Sequence, residues 1–276
     1  MDRCWSDTIA RVDRASSPLT TVMMAAHGSH ATVRESVESV LAQTVPELEL
    51  IVVDDRSDPP IADALAEIDD PRLRVVRHDG KPGPSAARNT SLRLARTPFV
   101  SQLDSDDLWH PEYLESVLPR FDDPGVGLVY ANVGIREHPD GRDIAITDTR
   151  AHPVYAFPRM CDACEIPSAT PTMRREAVLG VGGYAEWLYH AGDYQLYLKL
   201  ARAGWRFDYV DRPLATYSWP TAQRGMSFDR LELRRDELKM WLAFTLRHPL
   251  TPGPRRQARR RLARHVRWRL RLSDDP

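Results

Sequence analysis

The stretch Leu48-Glu49-Leu50-Ile51-Val52-Val53-Asp54-Asp55 is a short apolar run that stops on two carboxylates. A nearly unbroken run of this length reads as a strand buried on both faces, as in a parallel sheet. Upstream, Thr20-Thr21-Val22-Met23-Met24-Ala25 has the same character. Between them Val33, Val37, Val40 and Leu41 recur at helical spacing over 31–43. Downstream, Ile61, Leu65 and Ile68 predict a second helix and Leu73-Arg74-Val75-Val76 a third strand. A third helix runs from Pro84 to Ala95, with proline first, where a missing N–H costs nothing. Phe99-Val100-Ser101-Gln102-Leu103 is a fourth strand that again ends in acids. Strands alternating with helices predict βαβ units, hence an α/β fold with a mostly parallel sheet.

Ligands of open α/β sheets bind beyond the carboxyl ends of the strands. Two of those ends carry acid clusters here, Asp54-Asp55 and Asp104-Ser105-Asp106-Asp107. Crowded carboxylates repel one another unless a cation or a hydroxyl-rich ligand lies between them. Oxygen donors suit hard divalent ions, and Mg²⁺ typically binds one or two carboxylates plus substrate phosphates. Taken alone, the Asp-x-Asp-Asp turn reads equally as a solvated acidic loop capping a helix from His110.

After Val129 the rhythm breaks. Residues 136–158 are rich in Pro, Gly, His and Asp and read as a long loop with a short strand at 143–147. A helix is predicted over Asp193–Ala203, stopped by Gly204. Short strands at 206–210 and 214–217 follow, then a helix over 228–246 and a basic helix over 255–272.

The ordered motifs Thr21-Val22-Met23-Met24, Glu38 to Thr44, Glu49 to Ser57, Gly83-Pro84-Ser85-Ala86-Ala87-Arg88-Asn89, Leu103 to Asp107 and Gly192 to Leu198 together resemble the family 2 inverting glycosyltransferases of the GT-A fold. The resemblance spans about residues 20–219. It implies a Rossmann-like GT-A core, a mostly parallel central sheet flanked by helices, with a C-terminal helical extension. The corresponding division is an N-terminal extension over 1–19, a catalytic domain over 20–220 and C-terminal helices over 221–276. Within that domain, 20–132 forms the nucleotide-binding half and 133–220 the acceptor side.

The implied activity is metal-dependent, inverting transfer of a sugar from a nucleoside-diphosphate sugar, UDP-linked, to an acceptor hydroxyl or other nucleophile, in the hexosyl- or N-acetylhexosaminyl-transferase class. Position by position, Ala25 and His27 line the nucleotide pocket, Asp55 accepts from the base or ribose, and Arg88 contacts the base or nearby backbone. Asp104 and Asp106 are the Asp-x-Asp, with Asp106 as ligand to Mn²⁺ or Mg²⁺ and Asp104 on the ribose or a metal-bound water. Asp107 supports them or caps a helix. Asp193 is the general base, a carboxylate positioned to take the acceptor's proton as it attacks; an acid there also suits a helix start. Arg224 reads as a phosphate ligand or as a surface arginine.

The chain departs from the family pattern at Ala25-Ala26-His27-Gly28, at Arg56 where a glycine is usual, and at Gly192 where an acid is usual. These departures raise the alternative of a catalytically silent nucleotide-sugar-binding scaffold. His190 is either a second acid–base group or structural. Cys161-Asp162-Ala163-Cys164 lacks the second Cys/His pair that a structural zinc site needs.

The 276 residues are 42% apolar and 28% charged, a globular balance that excludes disordered and fibrous classes. No apolar run approaches the roughly 18 residues of a membrane span, the start is too polar for a secretory segment, and three cysteines are too few for a disulfide scaffold. The expectation is a cytoplasmic protein. Nine arginines against two aspartates follow Pro254 in a chain of formal charge −1. That tail either packs on the acidic body or lies on the inner face of a membrane. Basic charge confined to one terminal helix does not predict nucleic-acid binding. No Gly-x-Gly-x-x-Gly follows a strand and no phosphate loop follows the first one, which removes the dehydrogenase and nucleotidyltransferase readings.

Overall fold

The computed structural model describes residues 17–138, 142–147, 160–161, 164, 166–220, 230–247, 255–256, 258–260 and 262–263. Strands β1 (Thr20–Ala26), β2 (Leu48–Asp54), β3 (Leu73–Arg77) and β4 (Phe99–Gln102) pair in parallel, in the order β3-β2-β1-β4. They are linked by α1 (Val33–Leu41), α2 (Ile61–Ala64) and α3 (Pro84–Leu94). The topology therefore switches direction between β1 and β4, and the C-terminal ends of β1, β2 and β4 open onto one edge.

Helix α2 is a single turn and stops short of Ile68. Leu65 already leaves the helical region at φ −108°, and Pro71 biases the chain before it away from helix. Asp70 then accepts from the Arg72 backbone N–H at 2.9 Å and closes a turn instead.

The second half adds β5 (Leu108–Trp109), α4 (Tyr113–Val117), β6 (Val126–His138), β7 (Arg142–Thr147), β8 (Thr172–Arg174), α5 (Arg175–Gly180), α6 (Gly192–Arg202), β9 (Arg206–Pro220) and α7 (Arg230–Arg247). β8 is wedged antiparallel between β4 and β6, β6 runs parallel to β9, and β5 and β7 add antiparallel edges. Among the described residues the result is a nine-stranded mixed sheet, parallel over β1 to β4.

Two further segments differ from the sequence expectation. β6 runs on to His138 and pairs with β7, so 136–138 is strand where a loop was predicted. The two short strands expected at 206–210 and 214–217 are one, β9. Pro213 has no N–H for a ladder, and the β6–β9 register slips at Ala131/Asn132 to absorb it. Asp211 anchors the slip by accepting from Asn132 Nδ2 at 3.0 Å.

Apolar side chains fill both faces. Val22, Met24, Leu50 and Val52 face α1 and α4, while Met23, Val100 and Met173 face α5, α6 and α7. Met240, Trp241 and Phe244 bring α7 into the second layer, and Ala258 and Leu262 of the basic tail pack on it as well. No described helix is long and apolar enough to cross a membrane.

Candidate functional site

The loops after β1 and β2 are stitched together at the sheet edge. Asp55 donates its N–H to Ala26 O at 2.8 Å, and His27 Nδ1 lies 2.7 Å from Asp55 O. The two acids that end β2 have separate tasks. Asp54 is buried and structural: it accepts from the N–H groups of Ser57 and Ile61 at 2.8 and 3.1 Å and pairs with Arg77 at 2.7 Å. Burial opposes its charge, but those donors outweigh it and hold the carboxyl below its ordinary value. Asp55 accepts from Gly83 N–H at 2.7 Å through Oδ2, while its buried Oδ1 has no hydrogen-bond partner. A buried carboxylate oxygen without a donor is costly. Asp55 lines a cleft of about 440 Å³, into which a ligand's donor can be brought.

Arg56 stands in the left-handed region at φ 63°, where glycine is favoured. Its guanidinium compensates by donating to the carbonyls of Asp79 and Gly80, which ties the β2 turn to the loop before α3.

The same cleft is lined by Ala25, His27, Arg88, Asp104, Asp106 and Asp193. Arg88 rises from α3, is buried, pairs with Asp104 and lies 5.8 Å from the Tyr184 ring centroid. Burial works against its charge, but Asp104, Tyr184 and Asp193 outweigh it and raise the guanidinium's pKa. Asp106 is desolvated by the cleft walls and repelled by Asp104, which pushes its carboxyl up to about 6. Asp107 turns away from the cleft. It caps no helix, and its Oδ1 accepts the Ser218 N–H at 2.9 Å, fastening the acidic turn to β9. Burial, then Asp106 and Asp104, raise its carboxyl.

Asp193 lines the cleft as the second residue of α6. Desolvation raises its carboxyl and Asp104 adds to this, while Arg88 and the Tyr194 N–H, which donates at 2.7 Å, pull the other way. The approach to it is tight. Ala191 is held at φ 57°, a left-handed conformation that costs a non-glycine residue about 1–2 kcal/mol. A Cβ on Gly192 would lie 2.1 Å from Ser85 Oγ, so the N-termini of α3 and α6 meet closely enough that a side chain there has to displace the Ser85 hydroxyl.

Thus Ala25, His27, Asp55, Arg88, Asp104, Asp106 and Asp193 share one cavity. Arg224 lies outside the described residues. His190, Tyr189 and Cys164 also line the cleft, as do Leu233 and Glu237 of α7. The α7 pair was not legible from sequence. Leu233 and Glu237 lie one turn apart on a predicted helix, but nothing local says that the helix crosses the acceptor side. Cys161 is buried and Cys164 half-buried, and among the described residues no group of three or more His, Cys, Asp or Glu side chains is placed to hold a metal ion by itself.

The model of glycosyl transferase family 2 matches residues 21–176. The chain belongs to that family. Solved structures share the fold. S. aureus TarS (residues 1–349) superposes with a TM-score of 0.66 at 19% identity, covering 90% of this chain and 70% of that one. The mannosyltransferase PcManGT of Pyrobaculum calidifontis, solved with GDP-Man and Mn²⁺, superposes with 0.65 at 22% identity, covering 87% and 67%. In sequence, the chain is 28% identical over 178 residues to WfaP of Escherichia coli, a UDP-Glc:alpha-D-GlcNAc-diphosphoundecaprenol beta-1,3-glucosyltransferase, covering 62% of this chain and 69% of WfaP. In several other curated relatives the matched stretch spans only 28% to 46% of their length.

Proposed function

We propose that this family 2 protein is a metal-dependent, inverting glycosyltransferase that moves a hexosyl or N-acetylhexosaminyl group from a UDP-sugar to an acceptor hydroxyl. The observation that carries the reading is the shared cleft: Asp55, Arg88, Asp104, Asp106 and, from α6, Asp193 all line it. WfaP's donor, and the solution of TarS in complex with UDP-GlcNAc, support the choice of uridine.

The nucleoside sits against Ala25 and His27, with the unpartnered Asp55 Oδ1 taking a hydrogen bond from the base or ribose. Asp106 and Asp104 are a pair of hard oxygen donors at one end of the cleft, which suits Mn²⁺ or Mg²⁺ completed by the donor's phosphates. Asp106 is the direct ligand, and Arg88 holds Asp104 in place. Such an ion, when bound, neutralises the charge that builds on the departing diphosphate. Asp193 takes the proton of the acceptor hydroxyl as it attacks from the face opposite the diphosphate. Its raised carboxyl pKa makes it a better proton acceptor, and a positioned base of this kind is worth about 10²–10⁴-fold. The acceptor enters past Tyr189 and Glu237.

The test is UDP release from a panel of UDP-hexoses and UDP-N-acetylhexosamines with Mn²⁺ or with chelator, alongside calorimetric titration of UDP. Metal-dependent release supports the enzyme. UDP binding with no release from any donor supports the silent scaffold, the reading that the side-chain-free Gly192 keeps in play.

A further inference from the structure

The base-bearing loop is held from a helix that lies beyond the family-matched residues. Asp236, in the middle of α7, is 3% exposed. Its Oδ2 accepts the backbone N–H groups of both Tyr189 and His190, at 3.1 and 3.0 Å. His190 Nδ1 is 3.4 Å from the same oxygen, and Lys239 Nζ donates to Oδ1 at 2.7 Å. Burial opposes the charge, but the His190 N–H and Lys239 outweigh it, so Asp236 stays ionised below the ordinary carboxylate range. The two amides it captures immediately precede the strained Ala191 and, two residues on, Asp193.

The helix that carries it is itself immobilised. Met240, Trp241 and Phe244 are buried in the core, and the Trp241 ring packs edge-on against Tyr194 of α6 at 5.9 Å. Leu233, about one turn before Asp236, and Glu237, the residue after it, line the cleft. A residue kept in a left-handed conformation persists only where its surroundings over-determine it. Here Gly192 is pressed on Ser85 from one side, and Asp236 grips the preceding peptide groups from the other.

We infer that Asp236 is a positioning residue for the proposed transferase: by capturing the Tyr189 and His190 amides it fixes the loop that aims Asp193 across the cleft. This rests on the transferase reading, and it touches neither the donor nucleotide nor Asp193 itself. Displacing a reacting group by about 1 Å is enough to cost roughly 10²-fold in rate.

The experiment compares wild type, Asp236→Ala and Asp236→Asn by three readouts: UDP release from the UDP-sugar that wild type turns over best, UDP affinity by calorimetry, and amide hydrogen exchange of peptides spanning 186–195. Asp236→Ala is expected to lower kcat about 10- to 100-fold, with UDP affinity and donor KM within about twofold, and to speed exchange at 189–191 selectively. Asp236→Asn retains an acceptor oxygen for the two amides and is expected to recover most of the rate. Unchanged kcat in Asp236→Ala overturns the inference. So does an Asp236→Asn variant as impaired as Asp236→Ala, or a parallel fall of kcat and UDP affinity. Should wild type release no UDP from any donor, the transferase reading fails, and the exchange arm still decides whether Asp236 fixes the loop: unaltered exchange at 189–191 overturns that too.

Discussion

Ser85 Oγ occupies the place where a side chain on residue 192 would begin, 2.1 Å from the Cβ that Gly192 lacks. This contact brings the α3 end of the nucleotide wall against the residue next to Asp193. The Ser85 hydroxyl is buried with no hydrogen-bond partner, so the serine is tolerated there rather than needed. Gly192→Ala is expected to destabilise by about 1–3 kcal/mol through overpacking. Ser85→Ala alone should be neutral or slightly stabilising. In the double variant the new Cβ meets only the residue 85 Cβ, at 3.4 Å, and most of the loss should be recovered. A denaturant-unfolding double-mutant cycle measures this, and additive losses would show that the two positions do not share the space.

Asp55 is expected to bind nucleotide through the oxygen it does not use on Gly83. Asp55→Asn keeps an acceptor for the Gly83 N–H but turns an amide donor toward the ligand. UDP affinity should fall tenfold or more, the range of about 1.5–3 kcal/mol for a hydrogen bond to a charged group, with little change in melting temperature. Isothermal titration with UDP checks both halves.

The pH dependence of turnover follows from the Asp193 environment. A carboxylate base works only when ionised, and burial raises this one. Activity should therefore fall, as pH drops, at a higher pH than an ordinary aspartate would give. Arg88 opposes that shift, so Arg88→Met should move the acid limb of kcat further upward. It should also destabilise by about 3 kcal/mol or more, because it strands Asp104. A pH–rate profile with an unmoved acid limb would separate Asp193 from the rate.

Lys199, on the far side of α6, offers a stability test remote from the cleft. Burial lowers its ammonium to about 8, while Nζ donates to Gly183 O. An unfolded lysine titrates near 10.4, so between about pH 8 and 10 the unfolded chain binds more protons and stability contributed by this group rises with pH. Relative to Lys199→Met, wild type should gain on the order of 2 kcal/mol across that window, read from melting curves at pH 7 and 10.

Much of this was legible in the chain itself. β1, β2 and β4 announce themselves because they are largely buried on both faces, and the acids that follow β2 and β4, Asp55, Asp104 and Asp106, mark the edge where ligands collect. The role of Asp54 was not legible. Its neighbour Asp55 has the same side chain, and only the turn geometry at Ser57 and Ile61 separates the structural acid from the open one. β6 escaped because its pairing is non-local, and β9 was read as two strands because Pro213 interrupts the pattern until the register slip absorbs it. Glycine at 192 reads as a lost acid in sequence, whereas in space it is what lets α6 approach Ser85. The holding of the Asp193 loop by Asp236 joins residues more than forty positions apart and leaves no local signal.

The most direct measurement pairs UDP calorimetry with UDP-release kinetics on Asp193→Asn. The account predicts UDP affinity within about twofold of wild type and release slowed by about 10²-fold or more, since the substitution keeps the shape and removes the base. Release at the wild-type rate, or loss of UDP binding in step with activity, would contradict it.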